Sequence, residues 1–299
     1  MITALILLAL CTMAATKVTI QSAFAKKIVH NVSDALLYNG MIFLASAIIF
    51  LPGFLGSVPA LLSGEYTGNF GMTALFAVMM GVLSVLFQVI YVFALSSGPV
   101  SLTVLLNNFS MLVPIILSAV AFSEPFGVLR IVATGLVILS FVLNVKKEGD
   151  TKVNTRWLIF VLITFLCNAA TVVVQKVYTK TQPVDISSFL FISYFSATLL
   201  AGCLLIFFYC RKVKKSFKLT PSIPLSAGAI GVILGLFQAL NTHATATIDG
   251  TLLFPVYNGG VTVLLSLVGA ILFRERLSPA KWVGVGVGIL AIVLMSLPG

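Results

Sequence analysis

The chain has 299 residues, of which 60% are hydrophobic and 9% charged, with a formal net charge of +10 and a mean hydropathy of +1.15. A soluble domain carries about 25% charged residues and needs a polar exterior, which this composition does not supply, so lipid must be the solvent for most of the surface. The Lys and Arg residues fall in short clusters between apolar runs, with no aromatic-interleaved patch, and so mark topology rather than nucleic-acid binding.

A hydrocarbon core of about 30 Å takes roughly 20 apolar residues as a helix, and about ten such runs follow one another. The first, Met1–Ser22, has no basic leader and no A-x-A site, and reads as a retained helix rather than a cleaved signal. It carries Thr12 and Thr16, and Lys17 near its end is expected to snorkel to the interface. Asp34–Gly56 and Phe70–Leu95 come next, the third run holding Gln88. The Ser96-Ser97-Gly98-Pro99 turn leads into Val100–Phe122, which holds Asn108 and is kinked by Pro114, and then into Phe126–Val145. Beyond the polar link Lys146–Arg156 lie Trp157–Tyr178, with Asn168 at mid-span, and Ser187–Cys210. A second link, Arg211–Pro224, precedes Leu225–Thr247, with Gln238, Asn241 and His243. Ile248-Asp249-Gly250 turns into Thr251–Phe273, with Pro255, Tyr257 and Asn258. Ser278-Pro279 opens the last run, Ala280–Leu297, whose Gly284, Gly286 and Gly288 form a small-residue face for close packing within the bundle. The short connections force neighbouring helices to lie antiparallel and leave no room for a soluble domain. Cys11, Cys167, Cys203 and Cys210 sit inside apolar runs and read as packing residues, with no metal site and no cofactor implied.

The chain also repeats itself. Gly81-Val82-Leu83-Ser84-Val85-Leu86-Phe87-Gln88 lies over Gly231-Val232-Ile233-Leu234-Gly235-Leu236-Phe237-Gln238; the same register sets Asn108 over Asn258, and a one-residue slip sets Glu124 over Glu275. The two repeats, 1–147 and 152–299, hold five runs each, an odd number, so the second must enter the membrane from the opposite side. Inverted repeats of this kind imply a pseudo-two-fold axis in the membrane plane, a solute site near the midplane and alternating access. Connections after odd-numbered runs carry most of the Lys and Arg, whereas those after even-numbered runs carry Arg130, Lys176 and Lys180. By charge alone the chain ends lie outside the cell.

Polar side chains inside a span are costly, which makes the paired amides Gln88 with Gln238 and Asn108 with Asn258 candidate solute ligands. Amides both donate and accept, and so suit a polar or zwitterionic solute that sheds its water. Asn168, Tyr257 and Thr16 are expected to line the same cavity, although threonines in membrane helices more often bond their own backbone. Tyr38 and Tyr194 read as mates on the second and seventh helices. His243, a residue type whose ordinary charge change falls near neutrality, is the candidate proton or pH site. Asp and Glu fall in loops or at helix ends, so a carboxylate relay at the midplane is not expected.

The closing hairpins Phe122-Ser123-Glu124-Pro125 and Phe273-Arg274-Glu275-Arg276-Leu277-Ser278 resemble those of EamA-type members of the drug/metabolite transporter superfamily, and the resemblance covers nearly the whole chain. Leu252–Ser296 is similar to the last two helices of small multidrug resistance proteins, whose aromatic-Ser-Gly element matches Tyr257-Asn258-Gly259. The resemblance implies an all-α integral membrane protein of ten transmembrane helices, a central cavity lined mainly by helices one, three, four, six, eight and nine, and peripheral helices five and ten. It also implies cytoplasmic termini, opposite to the charge count. The buried first-helix Glu of small multidrug resistance proteins has no counterpart among Thr12, Met13, Ala14, Ala15 and Thr16, so proton-coupled cation antiport is not carried over.

The expected function is secondary transport of a small polar metabolite, an amino acid or related compound, with export as one direction. The expected setting is multi-pass in the plasma or inner membrane, as a monomer or homodimer whose partners are the solute and the lipid bilayer. A non-transporting receptor or partner subunit is the alternative. A lipid-processing membrane enzyme is disfavoured, because such enzymes cluster Asp and His, and the two histidines here, His30 and His243, are far apart in sequence.

Overall fold

In the computed structural model the described residues are 2–28, 32–97, 100–144, 154–210, 222–271 and 278–296, and their regular structure is all helical. A bilayer offers backbone N–H and C=O groups no water, so apolar runs must pair those groups internally as helices. The helices are α1 Ile2–Ile28, α2 Val32–Ser63, α3 Phe70–Ser97, α4 Val100–Asn108, α5 Leu112–Ala121, α6 Val128–Asn144, α7 Thr155–Thr181, α8 Ile186–Cys210, α9 Ser222–Thr247, α10 Gly250–Ile271 and α11 Pro279–Ser296. Among the described residues, eight helical stretches are long and apolar enough to cross a membrane, and Val128–Asn144 and Pro279–Met295 are shorter apolar helices.

Most helices start and stop within a few residues of the runs read from hydropathy. The second helix departs from its run, continuing past Gly56 to Ser63 through Pro52 and Pro59. The fourth run stays helical throughout but tightens at its middle, where a three-residue 3-10 turn, Phe109–Met111, joins α4 to α5. Pro114, two residues into α5, has no N–H for the Ser110 carbonyl four residues back, and its ring crowds that carbonyl. The chain answers by tightening, and the Leu112 N–H turns to the Phe109 carbonyl. Lys176, grouped above with the polar connections, is instead wholly buried within α7. Its Nζ donates to the Thr245 carbonyl in the last turn of α9 at 3.2 Å, where a cation meets the negative end of a helix dipole.

The chain divides into two compact units, one of Met1–Thr16, Ala94–Ala169 and Thr247–Gly299, the other of Lys17–Phe93 and Ala170–Ala246. Neither follows a sequence half. In the second unit α2 and α8 meet along their length. Tyr194 stacks on Phe43 and Phe50, with ring centroids 6.1 and 6.5 Å apart, and Phe54 stacks on Phe191 at 4.5 Å. Glycines let the flanking helices dock: Gly81 of α3 lies against Ser193, Ser196 and Ala197 of α8, and Gly231 of α9 lies against Ile42, Ala45 and Ser46 of α2. The Ser46 hydroxyl donates to the Gly231 carbonyl at 2.8 Å, across the contact.

In the first unit α6 and α11 form the corresponding pair. Gly284 fits against Ser140, Leu143 and Asn144, and Gly288 against Ser140 and Val263. Ser140 Oγ donates to the Gly284 carbonyl at 2.7 Å. Gly286 has no atom within 4 Å of where its Cβ would stand, so two of the three expected glycines serve packing and the third faces outward.

Candidate functional site

Each unit gathers mid-span polar side chains into a cluster. In the second unit Gln175 of α7 and Gln238 and Asn241 of α9 form a hydrogen-bonded chain whose polarity is fixed. Thr242 Oγ1 gives its hydrogen to the Gln238 backbone carbonyl at 2.8 Å, and so can only accept from Gln175 Nε2, also at 2.8 Å. Gln175 Oε1 therefore accepts from Asn241 Nδ2 at 3.0 Å, and the same amide group reaches Gln238 Oε1 at 3.5 Å. The Gln238 amide group and the Asn241 carbonyl are the ends of the chain left for other partners. Tyr194, 4% exposed, turns its buried hydroxyl towards Gln238.

Gln88 stands apart from this chain. It is half-buried and lines a small, partly open pocket walled by α2, α3 and α8, where the other amide is Asn39. Asn39 Nδ2 donates to the Ala35 carbonyl at 2.9 Å.

The first unit centres its cluster on the fourth span, at and before its 3-10 turn. Asn168 of α7 donates to Ser110 Oγ at 2.7 Å and approaches the Asn107 carbonyl at 3.5 Å. Asn107 Nδ2 donates to the Thr103 carbonyl at 3.0 Å and to Thr164 Oγ1 at 3.2 Å. Trp157 Nε1 reaches Thr103 Oγ1 at 2.9 Å and closes the end of the cluster. Asn108, the expected ligand, is the half-buried last residue of α4, and its neighbour Asn107 holds the cluster.

The remaining candidates bond locally. Asn258 Nδ2 donates to the Phe254 carbonyl of its own helix at 2.8 Å. Tyr257 is half-buried, and its backbone carbonyl lies 3.7 Å from Cys11 Sγ. Thr16 is exposed and donates to the Thr12 carbonyl at 2.8 Å. His243 lies on the exposed side of α9. The motif hairpin at Glu124 works as a clasp. Its carboxylate accepts the Gly250 N–H at the start of α10, while Arg130 joins the Pro125 carbonyl at 2.7 Å, Thr251 Oγ1 at 2.8 Å and Asp249 at 3.3 Å. Glu275 lies outside the described residues.

Gln175, Asn107, Ser110 and Asn39 are the residues that sequence reasoning missed. Gln175 adjoins Lys176 near the end of its run, so it read as the edge of a loop, and Asn107 was passed over because the internal match fell on Asn108. A helical-wheel reading of the sixth span places Gln175 seven residues beyond Asn168, close to the same face.

The fold and its polar clusters are those of an α-helical, multi-pass membrane protein. No protein-family model matches the chain, and no curated protein does. Solved structures do match: one crystal structure superposes with a TM-score of 0.73 at 14% identity, over 98% of this chain and 95% of that one. At this identity the likeness is one of fold.

Proposed function

We propose that the chain is a secondary transporter of ten membrane-spanning segments in two inverted five-helix repeats, of the EamA type within the drug/metabolite transporter superfamily. It moves a small polar metabolite, an amino acid or related compound, by alternating access. The observation that carries this reading is the matched docking of two glycines. Gly81 rests on α8 at positions 193, 196 and 197, and Gly231 rests on α2 at positions 42, 45 and 46. The two contact sets share one spacing, their receiving positions offset by 151 residues and the two glycines by 150, so each half lends its third helix to the second helix of the other. The boundaries of the compact units agree: Lys17 and Ala170 lie 153 residues apart, as do Ala94 and Thr247. A two-fold exchange of repeats produces both relations, and repeats with an odd number of spans are a recurrent architecture of secondary transporters. Amides within the spans supply what a desolvated polar solute needs.

Flux of radiolabelled metabolites into proteoliposomes of the purified protein tests the reading. Gln88→Leu and Gln238→Leu are each expected to lower flux about tenfold, the loss of one hydrogen bond of about 1.4 kcal/mol to the solute, while the protein still elutes as a folded species. Tight binding without flux, across the metabolite classes tried, overturns transport. Full flux in both variants returns the glutamines to a packing role.

A further inference from the structure

We propose that the buried cluster of Asn107 and Asn168, beside the 3-10 turn of the fourth span, binds a compact monovalent cation, either the ammonium group of the solute or a sodium ion. The case begins with the orientation of Asn107. The Thr103 carbonyl can only accept a hydrogen bond, so the atom 3.0 Å from it must be Nδ2. Thr164 Oγ1 has already given its hydrogen to the Val161 carbonyl at 2.9 Å, so it too accepts from Nδ2, at 3.2 Å. Both hydrogens of the amide are thereby committed, and no flip of the side chain is open to it. Oδ1 is left buried on a residue only 5% exposed, with no donor in reach. A buried carbonyl in that state is costly unless something supplies a donor or a positive charge.

Asn168 repeats the pattern. Its Nδ2 is taken by Ser110 Oγ and the Asn107 carbonyl, which leaves its own carbonyl oxygen as the remaining arm. The cluster therefore presents acceptors whose neighbouring donors are already used. An anion has nothing to bond to at this place. A divalent ion lacks the carboxylates it requires. A compact monovalent cation, with either N–H groups or an inner sphere that takes neutral oxygens, fits the chemistry.

The ammonium arm of the proposal rests on the transport reading above, whereas the sodium arm does not. Thermal unfolding of the purified full-length protein is measured in sodium chloride, methylammonium chloride and choline chloride at equal ionic strength. Sodium or methylammonium is expected to raise Tm by roughly 2–4 °C over choline, saturably, because only the folded chain holds the site. A rise with sodium alone assigns a coupling ion, and a rise with methylammonium alone assigns the solute's ammonium. Asn107→Leu is expected to remove the rise; it should fold, since the Thr103 and Thr164 groups keep their helical partners. Asn107→Ala gives the same readout where Leu proves too bulky. Equal Tm values in all three salts, or a rise that persists in both variants, overturns the proposal and leaves Oδ1 to a bound water. Flux measured in parallel keeps the two readings apart: flux without a cation-dependent shift defeats this inference alone, and a shift without flux defeats transport alone.

Discussion

Asp185, between α7 and α8, does four things with one side chain and its own backbone. Its Oδ1 accepts the Ser188 N–H at 3.1 Å and caps α8, and its Oδ2 accepts from Ser57 at 3.2 Å and from Tyr66 at 3.1 Å. Its backbone N–H and carbonyl both meet the Tyr178 hydroxyl, at 3.1 and 3.2 Å. Tyr66 lies in the loop after α2, where burial first, and the Asp185 charge second, raise its phenol pKa above the ordinary value. A raised folded-state pKa favours the protonated folded form, so this contribution to stability is complete below the unfolded value of about 10 and is lost as pH rises through the folded one. Thermal unfolding followed upward from pH 9 should therefore show an alkaline fall in the wild type that is shallower in Tyr66→Phe. At this scale the sequence is least legible. Asn107 and Asn108 differ by about 100° around a helix, and only the packing of Asn107 against Thr164 of α7 decides which of them enters the cluster. Asn258 donates to the carbonyl four residues back, as Asn107 does, and it lies 151 residues from Asn107, the spacing of the glycine contacts. The same spacing separates Tyr194 from Phe43, on which its ring stacks.

Elements were far easier to read than residues, because crossing a bilayer imposes a length and an apolar composition that few other constraints disturb. The exceptions have identifiable causes. Pro114 was recognised as an interruption, but its effect falls on the turn before it, where the missing N–H is felt. The close docking of α3 and α9 was not visible either, since a glycine in an apolar run reads the same whether it faces lipid or a neighbouring helix. A Cβ on Gly231 would stand 2.7 Å from the Ile42 carbonyl and 2.6 Å from the Ala45 methyl, whereas one on Gly228, a turn earlier on the same helix, would meet nothing within 4 Å. Gly231→Leu is expected to cost about 1–3 kcal/mol or to block folding, and Gly228→Leu to leave unfolding by denaturing detergent unchanged. The clasp at Glu124 gives a second test. Removing a carboxylate that caps α10 should cost about 1–2 kcal/mol in Glu124→Ala. Arg130→Ala should cost less through its ion pair, because Arg130 and Asp249 are 22% and 38% exposed. Reversible unfolding of the two variants side by side ranks them.

Across the whole molecule, one eight-residue match and two motif hairpins suggest an internal repeat, but nothing in the sequence suggests the grouping of helices. The proposed repeat divides the chain at its middle, whereas contact divides it into units that each borrow from both halves. Nothing in the order of apolar runs shows which helices trade partners, because that depends on side-chain fit across stretches about 150 residues apart. Hydrogen exchange on the purified protein should reveal the units as separate cooperative blocks. Loosening the first with Glu124→Ala is expected to speed exchange in α5, α6, α10 and α11 and to leave α2, α3, α8 and α9 as in the wild type. Uniform acceleration of all eight helices would contradict this.

The interleaving also sets a timetable for biogenesis. Residues 17–93 emerge early but find their partners only in residues 170–246, an interval of 153 residues, or roughly 8–30 s at about 5–20 residues per second. Throughout that wait the face of α2 that will receive Gly231, with the Ser46 hydroxyl on it, has only lipid or the insertion machinery for company. Slowing elongation in this interval, or truncating the nascent chain before α9, should make the early helices targets for membrane quality control.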